Sequence, residues 1–255
     1  MNKFEQLVAI VAALRTPEKG CPWDLKQTRE SLVPNFIEEL YEVVEAIEDK
    51  DYYSLKEELG DLMLHIVMQA QISNEQGLWN IDDVLDEIVS KLIRRHPHVF
   101  GELTLTDADA VKKNWERLKK AEKTERKSVL EGIPRSLPAL IQAQRTQEKA
   151  ASVGFDWQDI KPVLEKLDEE REELADALNS NEQSAIQEEL GDMIFTLVNL
   201  ARKLHIDAES ALKECTRKFT RRFNTIEEHY RKNGEDINEA NLEELDSHWE
   251  KTKEH

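Results

Sequence analysis

Apolar residues recur at helical spacing along nearly the whole chain. Leu7, Ile10, Val11 and Leu14 lie three and four apart, and Pro17 with Gly20 closes that helix ahead of GCPWD at 20–24. After Pro34, the set Ile37, Leu40, Tyr41, Val44 and Ile47 marks one face of a second helix. Asp51 stands where it can cap a third, predicted over 52–76 with Gly77 as its stop. A fourth begins at Asn80 or Asp82 and ends at Pro97, and residues 108–123 form a basic amphipathic helix. Gly132, Pro134 and Pro138 then punctuate the chain. Beyond them the plan returns: a helix before Gly154, a long helix after Pro162, a turn at 179–181 and an apolar helix to His205. A basic helix runs from Asp207 to Gly234, and a last one carries Trp249.

The return is written in the residues. KEELGDLML at 56–64 reappears as QEELGDMIF at 187–195. Glu38, Glu39, Glu42, Glu58 and Asp61 fall on Glu169, Glu170, Glu173, Glu189 and Asp192 at one constant offset of 131. With small shifts for loop length, Lys91-x-x-Arg94-Arg95 parallels Lys218-x-x-Arg221-Arg222. In the same way Trp115-Glu116-x-x-Lys119 parallels Trp249-Glu250-x-x-Lys253. The expected fold is all-α, two tandem duplicated helical bundles over 1–124 and 136–255 joined by a linker at 125–135.

Composition sharpens this picture. Charged residues make up 35% of the chain and there are only 8 glycines and 7 prolines, as long helices with few turns require. The formal net charge of −18 repels polyanions, which argues against nucleic-acid polymers and anionic membranes as partners. No apolar run approaches a membrane span, and Cys21 and Cys215 form no CxxC pair, so a reducing, cytoplasmic setting is expected. No GxxxxGK[ST] phosphate loop and no GxSxG elbow is present.

The acidic motifs carry the candidate chemistry. Glu39 and Glu42 project from one side of their helix, Glu58 and Asp61 from one side of the next, and an antiparallel pair brings all four together. Like charges at this spacing cost each helix roughly 0.2–0.5 kcal/mol before burial, so something must compensate. The residues after Asp61 (Leu62, Met63, Leu64, Ile66, Val67) and after Asp192 (Met193, Ile194, Phe195, Leu197, Val198) are apolar all round, which predicts a buried helix. A carboxylate at its mouth must be paired, protonated or metal-bound. Gly60 and Gly191, each inside a helix, predict close approach of a neighbouring helix. All-oxygen ligation selects a hard cation, Mg²⁺ with Mn²⁺ as the alternative. A di-iron bundle would need Glu-x-x-His elements that neither half has. His65, whose counterpart is Thr196, is read as a satisfied core histidine.

Cations are expected as well, because an acidic pocket repels any anionic ligand unless positive charge is near. Lys218, Arg221 and Arg222 are the candidates, with Lys253 and the N-half set Lys91, Arg94, Arg95 and Lys119. Complementing the negative end of its own helix accounts for Arg94 and Arg95 just before Pro97, but less well for Lys218 and Arg222. Trp249 and Trp115 are candidates to stack on a flat ligand, a base or ribose if the ligand is a nucleotide, with partial burial as the plainer reading.

Glu-Glu-x-x-Glu followed after a spacer by Glu-x-x-Asp resembles the pattern of MazG-type nucleoside triphosphate pyrophosphohydrolases. GCPWD, RRHPHVF at 94–100, IPRSLPAL at 133–140 and VGFDW at 153–157 extend the resemblance over nearly the whole chain. It implies two MazG-like domains, a homodimer, and Mg²⁺-dependent cleavage of nucleoside triphosphates to monophosphate and pyrophosphate, with a role in nucleotide-pool housekeeping or stress. It assigns metal binding to Glu39, Glu42, Glu58 and Asp61 and to Glu170, Glu173, Glu189 and Asp192. Glu38 and Glu169 are assigned as supporting or base residues, and Trp249 ranks above Trp115. The competing class is a non-catalytic helical adaptor whose acidic faces dock a basic partner; a third reading keeps the C half as enzyme and the N half as a regulatory copy.

Overall fold

The computed structural model describes residues 1–121 and 128–253, without the side chains at 109, 112, 113, 116 and 119–121. The first residues of the expected linker, 125–127, and the side chain of Lys119 therefore lie outside the described residues. The chain divides into two compact units, Met1–Thr124 and Glu125–His255. No strand occurs among the described residues.

Unit 1 holds α1 (Lys3–Leu14), α2 (Val33–Glu48), α3 (Tyr52–Glu75), α4 (Ile81–Arg95), the short α5 (Pro97–Phe100) and α6 (Ala108–Ala121). Unit 2 holds α7 (Ala139–Ala151), α8 (Lys161–Ser180), α9 (Gln183–Lys203), α10 (Ala208–Asn233) and α11 (Leu242–Lys251). In unit 1, α3 packs against α1, α2 and α4; in unit 2, α9 packs against α7, α8 and α10, so the duplication read from sequence is a duplication of packing. The unit 1 core is Val11, Leu32, Val67, Met68 and Ile72, drawn from α1, the approach to α2, and α3. Arg15, itself buried, closes one end of this core. Its guanidinium donates to both carboxylate oxygens of Glu75 at 2.8 and 2.7 Å, to the Asp24 carbonyl and, at 3.2 Å, to the Gln27 carbonyl, tying the end of the GCPWD segment to the end of α3.

The two helices of each acidic pair are joined by a very short turn. In unit 1 Lys50 takes the left-handed conformation (φ 58), its N–H bonding the Ile47 carbonyl while the Asp51 N–H reaches back to Ala46. Asp51 at once caps α3, accepting from the N–H groups of Tyr53 and Ser54 at 3.0 and 3.1 Å. In unit 2 Asn181 does the same work (φ 55), and asparagine tolerates that conformation better than most residues.

Two expectations need correction. Neither α3 nor α9 is buried all round: Met63 and Ile66 are exposed on α3, and Ile194, Phe195 and Leu197 on α9, because within the chain the flanking helices cover only one side. Nor, among the described residues of its own unit, does a neighbouring helix approach Gly60 or Gly191, where an added Cβ would meet nothing within 4 Å beyond the helix itself.

The turn chemistry sets an expected outcome. Lys50→Gly relieves the left-handed backbone and raises stability by about 0.5–1 kcal/mol, whereas Asp51→Ala removes the cap and lowers it by about 1 kcal/mol. Chemical denaturation midpoints of the two variants check this.

Candidate metal centre and adjoining cavity

The turn geometry places the carboxylates. In an antiparallel hairpin, residues equally far from the turn lie level. Glu42 and Glu58 are each eight residues from Lys50, and Glu39 and Asp61 each eleven. At 1.5 Å per residue these are two tiers about 12 and 16 Å up the hairpin. In unit 2, Glu173 and Glu189 are eight residues from Asn181, and Glu170 and Asp192 eleven. The left-handed residue is the centre of symmetry in both copies.

Carboxylate oxygens of Glu39, Glu58 and Asp61 come within 4.8 Å of one another, as do those of Glu170, Glu173 and Glu189. Such groups can hold a divalent metal ion. Glu42 and Asp192 stand beside these sets, close enough for their charges to act on them: Glu42 raises the pKa of Glu39 and Glu58, and Asp192 that of Glu189. Burial is the largest cause of each rise and the neighbouring carboxylates add to it. Glu38 is exposed at the edge of the first set.

The two centres differ in what faces them. In unit 2 the Lys166 ammonium lies 2.6 Å from Glu169, 3.0 Å from Glu170 and 4.0 Å from Glu173, and these contacts push its pKa above the ordinary lysine value. Glu170 is 4% exposed, so this lysine neutralises a carboxylate that water hardly reaches. At the 131-residue offset unit 1 has Asn35. The described ion-pair partner of Glu39 is His65 instead, Nε2 at 3.8 Å. His65 is buried, as expected of a core histidine, but it is not satisfied: Nδ1 has no hydrogen-bond partner. Burial lowers its pKa, with Asp61 acting in the opposite sense.

The expected cations and tryptophans associate with one another. The Arg222 guanidinium sits over the Trp249 ring at 5.7 Å, and Arg95 over Trp115 at 5.5 Å, the same cation–π pair in both units. Trp249 also packs on Phe219 at 5.0 Å. Lys218 and Arg221 are exposed on α10, Lys91 pairs with Glu87 at 3.7 Å, and Lys253 with Glu250 at 2.5 Å. Arg94 and Arg95 occupy the last turn of α4, where their charge complements the helix end. None of the described ion pairs joins these basic residues to the carboxylate sets.

A cavity of about 700 Å³ opens beside the unit 2 centre, sharing Lys166, Glu170 and Asp192 with it. Its aromatic wall is Phe155, Trp157 and Phe195. The FDW segment is pinned by Asp156, which accepts from Arg202 at 2.5 and 3.1 Å and from Lys203 at 3.0 Å, while Lys203 also donates to the Trp157 carbonyl. These cations hold the Asp156 carboxyl below its ordinary pKa. Lys166 and this cavity went unseen in the sequence. The signal for Lys166 was its place one turn before Glu170; for the cavity only VGFDW stood out, because Gln147 and Asn199 meet it from helices far apart in sequence.

The MazG nucleotide pyrophosphohydrolase domain matches residues 27–100 and 158–226, segments that contain both acidic hairpins. The chain is 49% identical to the nucleoside triphosphate pyrophosphohydrolase/pyrophosphatase MazG of Thermotoga maritima, over 98% of this chain and 95% of that protein. It is 40% identical to the nucleoside triphosphate pyrophosphohydrolase of Escherichia coli K12, over 99% and 98% respectively.

Two outcomes follow from the electrostatics. Lys166→Met strands the buried Glu170 carboxylate and destabilises the metal-free protein by about 2–4 kcal/mol; saturating divalent cation restores most of this, as thermal denaturation with and without EDTA reads out. A raised carboxyl pKa contributes stability that is present below the unfolded value, near 4.5, and lost as pH rises through the folded one. Because a divalent cation cancels that repulsion, the Tm gain on adding it grows as pH climbs above about 4.5 and is small below. Melting curves at several pH values, each with and without the ion, measure it.

Proposed function

The chain belongs to the MazG nucleotide pyrophosphohydrolase family and is a nucleoside triphosphate pyrophosphohydrolase; from that premise we propose that it works with Mg²⁺, or Mn²⁺ in its place. Glu39, Glu42, Glu58 and Asp61 in one unit, and Glu170, Glu173, Glu189 and Asp192 in the other, are the proposed ligands. The observation that carries this reading is the gathering of three carboxylates within 4.8 Å in each unit. Burial first, and then the neighbouring carboxylates, raise the pKa values of Glu39, Glu58 and Glu189, which a bound cation would counter. Oxygen-only donors suit a hard divalent ion.

When bound, such an ion supplies charge neutralisation, polarises phosphoryl oxygens and makes water a better nucleophile near neutral pH. The protein's own groups do the rest. The carboxylate tiers would hold the divalent ion that carries the triphosphate end of the substrate, and so set its height on the hairpin. Water attacks the α-phosphorus, the bond to the β-phosphate oxygen breaks, and monophosphate and pyrophosphate leave. Glu38 and Glu169 are proposed to orient that water or take its proton. Glu169 is held by Lys166 at 2.6 Å, so its lone pairs come free as the ammonium turns to phosphate oxygens. Lys218, Arg221, Arg222 and Lys253, with Lys91, Arg95 and Lys119 in unit 1, are proposed to receive charge on the leaving pyrophosphate. Trp249 and Trp115 are proposed to shape the substrate's approach through their arginine partners.

No described helix is long and apolar enough to cross a membrane. We propose a cytoplasmic homodimer that hydrolyses NTPs, and dNTPs or aberrant nucleotides among them, in nucleotide-pool housekeeping. The exposed apolar residues of α3 and α9 support the dimer, since large side chains gain by leaving water.

The test separates the centres. Pyrophosphate release is measured for the wild-type chain, for Glu58→Gln/Asp61→Asn and for Glu189→Gln/Asp192→Asn, each with Mg²⁺ and with EDTA. EDTA is expected to abolish release, and the double variant in the working unit to lower it beyond the roughly 10- to 100-fold that loss of a supporting group costs a metal site. Release that survives EDTA, or both variants together, rules out metal-dependent catalysis at these carboxylates.

A further inference from the structure

Lys166, Glu169, Glu170 and Glu173 follow one another at i, i+3, i+4 and i+7 on α8, one face of that helix. An ordinary surface pair leaves its carboxylate in water, whereas Glu170 is almost wholly buried. The Lys166 ammonium is 3.0 Å from Glu170 and 4.0 Å from Glu173, two of the three carboxylates that converge within 4.8 Å in unit 2. The third, Glu189, stands among like charges. A cation of the chain's own thus already serves carboxylates that the proposed metal ion would use. The units differ at this level of the hairpin, fifteen residues from the left-handed residue on either side. Unit 2 has Lys166 with Thr196 there, and unit 1 has Asn35 with His65.

We propose that Lys166 is a built-in competitor of the divalent ion in unit 2, and that ion and triphosphate therefore load together, phosphate oxygens receiving the ammonium that the ion displaces. This rests on the metal-dependent reading above and deepens it. An ion that arrives alone meets a fixed positive charge a few Å from its ligands. Moving that charge aside takes the ammonium from Glu169, Glu170 and Glu173 and returns it to water. A triphosphate offers the ammonium charged acceptors in exchange, which offsets the loss. By linkage, ion and triphosphate then raise each other's affinity by the same factor. Asn35 carries no charge, so in unit 1 the ion meets no such competitor at that position.

The experiment uses the full-length chain carrying Glu58→Gln/Asp61→Asn, which leaves the unit 2 centre alone, at constant ionic strength and about pH 8, where imidazoles are neutral. Mn²⁺ binding is read from loss of the free ion's EPR signal. Binding of α,β-methylene-ATP, which cannot be cleaved between its α- and β-phosphates, is measured by calorimetry with and without Mn²⁺. Adding Lys166→Met is expected to tighten binding of Mn²⁺ alone by roughly 10-fold or more, and to shrink by a similar factor the gain in analogue affinity that Mn²⁺ confers. A merely structural loss would weaken ion binding, so its rise is the signature. If Lys166→Met does not fold, Asn35→Lys decides, in the chain carrying Glu189→Gln/Asp192→Asn. There the new lysine is expected to weaken binding of Mn²⁺ alone at unit 1 by roughly 10-fold. Mn²⁺ affinity that does not rise in Lys166→Met, a gain as large as before, or Mn²⁺ affinity unchanged by Asn35→Lys overturns the proposal and leaves the metal reading standing. Absence of Mn²⁺ binding in both starting chains, with or without the analogue, overturns the metal reading instead.

Discussion

Like charge held at equal height on a helical hairpin is the constraint from which the rest of this protein follows. A short turn with one left-handed residue, Lys50 or Asn181, forces α2 against α3 and α8 against α9 in a register that faces glutamate with glutamate. Repulsion is built in by that register, and it adds to burial, the larger cause, in raising the pKa values of Glu39, Glu58 and Glu189. Nothing in helix propensity or core packing would select such an arrangement, since each pair costs stability unless a cation is present. The carboxylates make sense as a receptor for positive charge, and a nucleoside triphosphate reaches them most readily when a divalent ion lies between.

Much of this was legible because it is local. The turn at 179–181, the Asp51 cap and the i, i+3 pairs Glu39/Glu42 and Glu58/Asp61 are fixed by residues within a few positions of one another, so sequence spacing specifies them. What was not legible depends on distance along the chain. Arg15 meets Glu75 across 60 residues, Arg202 meets Asp156 across 46, and Gln147 meets Phe195 across 48. No periodicity encodes those meetings. The apolar runs after Asp61 and Asp192 were misread as burial on every side, because a run all round a helix looks the same whether its second face meets its own chain or another.

The duplication also shows how two copies of one plan diverge by substituting what the carboxylates see. Unit 2 places Lys166 one turn before Glu170, a permanent counter-ion for a carboxylate that is 4% exposed. Unit 1 places Asn35 there and turns His65 toward Glu39, an imidazole whose own burial disfavours its charged form. A lysine stays charged whether or not a metal arrives, so unit 2 is electrostatically tolerable when empty. Among the described residues unit 1 has no such fixed charge beside Glu39, so on the proposed metal reading its carboxylate set would depend more on an ion from solution. Behind the carboxylates the divergence continues, with Asn199 bordering a cavity where Met68 fills a core.

Gly60 and Gly191 bring the last step. Each directly precedes the aspartate of its tier, in a helix interior where glycine costs about 1 kcal/mol relative to alanine, yet among the described residues nothing beyond its own helix lies within 4 Å of the place a Cβ would occupy. Intramolecular packing therefore gives no reason for either residue. The same helices expose Leu59, Met63 and Ile66 in one unit and Leu190, Ile194 and Leu197 in the other. A bare backbone beside a stripe of large apolar side chains is the surface against which another helix can pack closely, and the proposed homodimer would supply one. Close contact there would also fix Asp61 and Asp192 from outside the hairpin. On that view the metal centre and the subunit interface share one helical surface, and stiffening the interface is a way of holding the carboxylate tiers in register.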